Sequence, residues 1–123
     1  MTYVAPKKAF SFYLQEVSPE MSRGEYTLKT NAEIYDVGTL VISEYVADAK
    51  TGKYVRATQA LVDAGVEADF AIVAEETDAT TADVKAAVFV RLGLVKGREL
   101  ILDPSITLSE AAALLLKQFV VVQ

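Results

Sequence analysis

Hydrophobic and polar positions alternate along most of this chain, and the alternation is mainly of period two, the spacing of a half-buried strand. The clearest case is Val84 to Leu92, where Val84, Ala86, Val88 and Val90 fall on one face and Lys85, Ala87, Phe89 and Arg91 on the other. Shorter strands are predicted at Tyr26–Leu28, at Thr39–Ile42 after the turn Asp36-Val37-Gly38, and at Phe70–Ala74. Asp48 to Gly52 reads as a hairpin turn with Lys53-Tyr54-Val55 returning from it, and Gly93 to Gly97 as a second turn ahead of Leu100–Leu102. Ala57 to Asp69 suits a loop or a short helix, with Gly65 counting against the helix, and Glu76 to Asp83 is a polar loop. Phe119 to Val122 is expected to be a terminal strand.

One segment changes period. Thr107-Leu-Ser-Glu110 has the form of a capping box, with Thr107 as N-cap, and opens a helix expected to reach about Gln118. Leu108, Ala112, Leu115 and Phe119 make one stripe at helical spacing, while Ala111, Leu114 and Leu116 make the helix apolar on more than one side. Such a helix is either embedded in the core or shared between its own body and a neighbouring subunit, and Leu114 and Leu116 are the candidate subunit contacts. The fold class expected is mainly β (α+β): a compact body of short strands, one C-terminal helix and an extended N-terminal arm.

Residues 1–24 are set apart as that arm and residues 25–123 as the globular domain. Pro6 and Pro19 punctuate the arm, and Ser22-Arg23-Gly24 closes it with a turn signal. Between the prolines Phe10, Phe12 and Leu14 alternate with Ser11 and Tyr13, and Tyr3 and Val4 add apolar surface further out. Ordering so many residues costs more backbone entropy than burial of these few side chains returns. The arm is therefore either a mobile start or a docking element that borrows a sheet edge and further burial from a partner. The alternating aromatic residues favour docking, and Tyr3, Val4, Phe10, Phe12 and Leu14 are its candidate contacts.

Composition narrows the chemistry. The 123 residues are 52% apolar and 24% charged, which suits one folded domain. There is no Cys and no His, so disulfides, thiolate nucleophiles, Cys/His zinc sites and imidazole acid–base chemistry are excluded. The formal net charge is −5, unevenly spread: residues 1–24 carry +1 and residues 25–123 carry −6. With no basic run, nucleic acid is not an expected partner. The longest apolar run is the six residues Ala111–Leu116, against the roughly 20 a spanning helix needs, so no membrane is expected either. No signal-peptide pattern precedes the first strand, and the expected state at synthesis is soluble and intracellular.

Glu75, Glu76, Asp78 and Asp83 are the one acidic cluster. Their spacing does not fit an EF-hand loop, and the simpler reading has Asp78, Thr80 and Thr81 satisfying turn backbone groups. No phosphate-cradling glycine motif occurs, and Lys96 and Arg98 around Gly97 read as a solvated hairpin tip. No metal, cofactor or catalytic residue is therefore assigned.

The order of several pieces resembles a known family. Gly38-Thr39-Leu40-Val41, then Thr51-Gly52 before Lys53-Tyr54-Val55, then Asp78-Ala-Thr-Thr-Ala-Asp83-Val84 running into Ala87-Val88-Phe89-Val90-Arg91 follow in sequence. Glu99-Leu100-Ile101-Leu102, the Ala/Leu-rich helix and a Val-rich end come after. Over about residues 22–123 this is similar to the bacteriophage head decoration proteins of the lambda type. The resemblance implies a β-rich, non-enzymatic virion protein. It implies a homotrimer on the outer surface of the expanded head at three-fold positions, clamping the major capsid protein against DNA pressure, with N-terminal arms that pair with capsid strands. The arm residues themselves rest on the alternation alone. Two further readings stay open at this point: a virion- or cell-surface β module that binds a saccharide or a host protein, and a carboxylate enzyme built on the acidic cluster.

Overall fold

The computed structural model describes residues 13–16 (as backbone), 22–30, 34–47, 49–64 and 68–123. Tyr3, Val4, Phe10 and Phe12 lie outside the described residues. Five strands close into a barrel in the order β2-β5-β4-β6-β8: β2 (Arg23–Leu28), β4 (Leu40–Val46), β5 (Ala49–Arg56), β6 (Phe70–Val73) and β8 (Val84–Phe89). β2 therefore starts inside the segment set apart as the arm, and Ser22 just before it is fully buried.

Alternation along these strands sorts two cores. Leu28, Tyr54, Val41, Ala71, Val73, Ala86 and Val88 come one or two from each of the five strands and fill the barrel interior. Leu40, Ile42, Phe70, Ile72 and Phe89 point the other way, from β4, β6 and β8 only. They pack under α2 (Leu108–Leu116) and a second sheet of order β1-β9-β10, made of β1 (Tyr13–Glu16), β9 (Gly93–Val95) and β10 (Val120–Val122). Phe70-Ala71-Ile72-Val73 is buried at every position because its strand has a core on each side. The same holds for most of β8, so the two faces read from Val84 to Arg91 are both apolar inside and turn polar only at Lys85 and Arg91. A two-stranded ribbon of β3 (Ile34–Tyr35) and β7 (Thr77–Asp78) and a short helix α1 (Gln59–Ala64) complete the body.

The barrel closes along an uneven seam. β2 runs antiparallel to β8 over six residue pairs, from Arg23↔Phe89 to Leu28↔Val84, but meets β5 in parallel at only Thr27↔Lys53 and Leu28↔Tyr54. Side chains supply what the short ladder lacks. The Tyr26 and Tyr54 rings stack with centroids 4.4 Å apart, Lys29 reaches Glu44 at 2.6 Å, and Lys53 reaches Asp83 at 2.6 Å.

Two turn assignments are corrected. Val46 pairs with Ala49, so the hairpin reverses between these two residues, overlapping Asp48–Gly52 only at its first position, with Ala47 in the left-handed region at φ 51°; Thr51 and Gly52 lie within β5, at a register shift opposite Ser43–Tyr45. A turn-rich composition here marks a bulge rather than the reversal. Gly93 to Gly97 is not a turn: Gly93–Val95 is the central strand of the second sheet. Gly97 is buried in a 3₁₀ turn (Gly97–Glu99) and donates its N–H to the Gln123 carbonyl at 2.6 Å, so Lys96 and Arg98 do not flank a solvated tip.

Candidate functional site

The acidic cluster is occupied with structural work. Asp78 accepts from the Thr80 N–H at 3.0 Å and its hydroxyl at 2.6 Å, an Asx-type turn. Asp83 pairs with Lys53 and accepts the Thr30 N–H at 2.8 Å. Both carboxyls lie below their ordinary values, Asp78 through the Thr80 hydroxyl and Asp83 through the Lys53 ammonium. A general acid needs the opposite displacement. Glu75 and Glu76 are exposed, and among the described residues no group of three or more acidic side chains is placed to hold a metal ion. Among the described residues the one strongly displaced group is Tyr54, whose phenol is pushed up by burial and by the neighbouring Tyr26 in the barrel seam.

The features left for recognition gather on the second sheet and the end of α2. β9 is paired on both sides: β1 runs antiparallel to it, with Tyr13 opposite Val95 and Glu16 opposite Gly93, and β10 runs parallel. The register shifts between Tyr13 and Gln15, so Leu14 sits at an irregularity in a strand held by its own body. On its other side β1 has no ladder partner among the described residues. Among the described residues the sheet thus ends at β1, at the root of the N-terminal segment.

Helix α2 begins at the expected N-cap: the Glu110 N–H donates to the Thr107 hydroxyl oxygen at 3.2 Å, which is one of the two bonds of a capping box. Its buried face is Ala111 and Leu115, and Leu114 packs in part against the same core. Leu116 is 58% exposed. The stripe of Leu108, Ala112, Leu115 and Phe119 is corrected, since Leu108 and Phe119 are 46% and 70% exposed. The helix ends at Leu116, and a tight turn of Gln118 and Phe119 N–H groups onto the Leu115 and Leu116 carbonyls brings the chain to Phe119 at φ 62°. The helical spacing stops applying before Phe119 is reached.

Gln118 does something that no spacing announces. Its side-chain oxygen accepts the Phe70 N–H at 2.7 Å, and its Nε2 donates to the Phe70 and Val90 carbonyls at 2.7 and 2.6 Å. β6 and β8 pair only at Ile72↔Phe89 and Val73↔Val88, so the amide takes the place of ladder bonds where these strands diverge. Beside it opens a cleft of about 440 Å³ with Tyr26, Phe70, Val90 and Leu92 as apolar lining and Phe119 at its edge. No short-range signal announces Phe119: no Gly or Asn follows the helix to mark the left-handed position that ends so many helices.

Among the described residues, then, the second sheet ends at β1, the flank of α2 at Leu116 is exposed, and Asp78 and Asp83 serve a turn and an ion pair. The chain matches the family model of bacteriophage lambda head decoration protein D over residues 2–119. It belongs to that family. The match starts at residue 2, so it takes in the N-terminal segment that the resemblance read from the sequence left out. No curated protein and no solved structure matches the chain significantly. Members of the family are structural proteins of the phage head without enzymatic activity, which places this chain on the capsid surface of the virion as a decorating and stabilising protein.

Proposed function

We propose that this protein cements the expanded phage head as a homotrimer at three-fold positions, with its N-terminal arm docked on the major capsid protein. The observation that supports this reading is the outer edge of β1, which has no ladder partner among the described residues. Edge strands expose a row of unpaired N–H and C=O groups that another strand can take up. An arm that continues such an edge is suited to strand addition, in which main-chain bonds give affinity and alternate side chains give selectivity. Tyr3, Val4, Phe10 and Phe12 are the contacts proposed for that strand. Leu14 belongs at its root, where β1 is already fastened to β9.

Three arms on one trimer bind as a unit. Once one has docked, the others find their sites at high effective concentration, so modest contacts per copy sum to firm attachment. Leu116, with Leu114 beneath it, is the subunit contact proposed on α2. Shell strands that become available only on expansion would time the binding.

Deleting residues 2–12 leaves β1 and the body in place. The truncated protein is expected to keep its thermal transition and its oligomeric mass while losing binding to expanded heads. Full binding by the truncated protein contradicts arm docking, and a monomer at every concentration, both free and on heads, contradicts the trimer.

A further inference from the structure

β1 is fastened to the body along one side. Tyr13, Gln15 and Glu16 face Val95, Leu94 and Gly93 of β9, and no other ladder holds the strand among the described residues. Its direction follows from its neighbours. β9 starts where the chain leaves β8, with the Leu92 N–H on the Gln118 carbonyl at 3.3 Å and the Gly93 N–H on the Phe119 carbonyl at 3.1 Å, and it ends at Val95. Further on, Ile101 bridges to Thr39, next to the start of β4. β1 runs antiparallel to β9, so Tyr13 sits at the Thr39 end of the fold and Glu16 at the Phe119 end. The N-terminal segment therefore joins the body at the Thr39 end.

The next barrel strand in the chain starts at the opposite end. β4 and β8 are each antiparallel to β6, so both begin at the Thr39 end, and β2 begins at Arg23 opposite Phe89, the last residue of β8. At that first residue β2 is held by β8 alone, because β5 joins it only at Thr27 and Leu28. A pull toward the Thr39 end that reached β2 would double back to Arg23 and lift the strand off one pair at a time. The same pull on β1 acts along the strand. Ladder bonds of an antiparallel pair stand perpendicular to the strands, so a pull along the strand loads every pair together. Behind β1 the load has firm ground. β9 is covalently continuous with β8 through Val90–Leu92, where the Ser22 carbonyl accepts the Val90 N–H at 2.8 Å, and β10 pairs with Gly93, Leu94 and Val95 on the other side.

We infer that β1 and β9 form a tension clasp: a pull on the N-terminal segment toward the Thr39 end is carried in shear by β1 on β9 and is kept from β2. β1 thereby shields the barrel at the strand whose seam with β5 is shortest. The inference rests on the arm-docking reading, because a docked arm is the source of the pull, and it adds how the body withstands it.

Single-molecule pulling on the full chain tests the clasp. The chain has no Cys, so one introduced cysteine gives a unique handle, with a tag ahead of Met1 as the other. Lys117→Cys sets the body handle at the Phe119 end, and Ala82→Cys sets it at the Thr39 end, just before β8. Both residues are exposed, so neither substitution is expected to move the melting temperature. Against position 117 the pull runs along β1 and shears it; against position 82 it runs across β1 and opens the ladder from Tyr13. The rupture force is expected to be higher against position 117 than against position 82 at the same loading rate. Equal forces, or a higher force against position 82, overturn the inference. The comparison is made on the free protein, so its failure leaves arm docking untouched. Failure of arm docking shows instead as full head binding after deletion of residues 2–12.

Discussion

At the scale of the residue, single polar side chains finish what the strands leave incomplete. Among the described residues four polar side chains are buried, and each has a partner: Ser22 donates to the Leu92 carbonyl at 2.9 Å, Thr39 to the Asp36 carbonyl at 2.8 Å, Thr77 to the Glu75 carbonyl at 2.9 Å, and Ser43 accepts the Asp69 N–H at 3.0 Å. Gln118 is the most demanding case because three of its bonds replace a missing rung. Gln118→Ala strands the Phe70 amide and two carbonyls in a partly buried place, and is expected to destabilise the fold by about 2–3 kcal/mol. Urea unfolding at constant m-value measures it. Gln118→Glu is expected to be worse, since it keeps an acceptor for Phe70 N–H but sets a carboxylate against two carbonyl oxygens. Gly38 is the corresponding backbone case. At φ 96° it passes so close to the Glu99 carbonyl that a β-carbon there would collide with it. Gly38→Ala is expected to lower the melting temperature more than a helix-cap substitution does, because the neighbour it meets is backbone and has no room to give.

At the scale of the element, what the sequence disclosed depended on whether a local signal and the tertiary context agreed. The N-cap at Thr107 was legible because its bond joins residues three apart, and Thr107→Ala is expected to cost about 1 kcal/mol, read from the same urea titrations. The strands at Tyr26, Thr39, Phe70 and Val84 were legible because alternation or unbroken apolar character matched burial on one face or two. β9 was not. Gly93-Leu94-Val95 carries a glycine start that reads as a turn, and only pairing with β1, some 80 positions away in sequence, and with β10 makes it a strand. The hairpin turn was placed too far along for a related reason: Asp48–Gly52 holds turn-forming residues, but the register puts the reversal between Val46 and Ala49 and uses Gly52 at a bulge. In the candidate site, the arm contacts are an expectation from period-two aromatics at positions outside the described residues. Phe119 was absorbed into a helical stripe because nothing short-range reveals that the helix stops at Leu116.

At the scale of the whole molecule, charge and closure are linked. The seam between β2 and β5 is flanked by Lys29–Glu44 and Lys53–Asp83, and the carboxyls of Glu44 and Asp83 are held below their ordinary values chiefly by those lysine partners; the ammonium of Lys53 is held above its own by Asp83. A lowered carboxyl gives stability that is present above its unfolded value, near 4, and is lost as pH falls through the lower folded value. A raised lysine gives stability present below its unfolded value, near 10, and lost as pH rises through the higher folded one. With no His in the chain, the melting temperature is expected to be nearly flat from about pH 6 to 9 and to fall on both sides. A sharp step near pH 6.5 would contradict this, and Asp83→Asn should soften the acid limb. Such indifference to pH suits a protein whose task is to stay fastened to a shell. The account as a whole is tested most directly by electron cryomicroscopy of expanded heads bearing the full-length protein. It predicts three-fold knobs of density in which residues 1–12 continue from β1 as a strand laid against a strand of the shell protein. Knobs whose N-terminal segments have no density on the shell, or heads that carry no knobs at all, would contradict it.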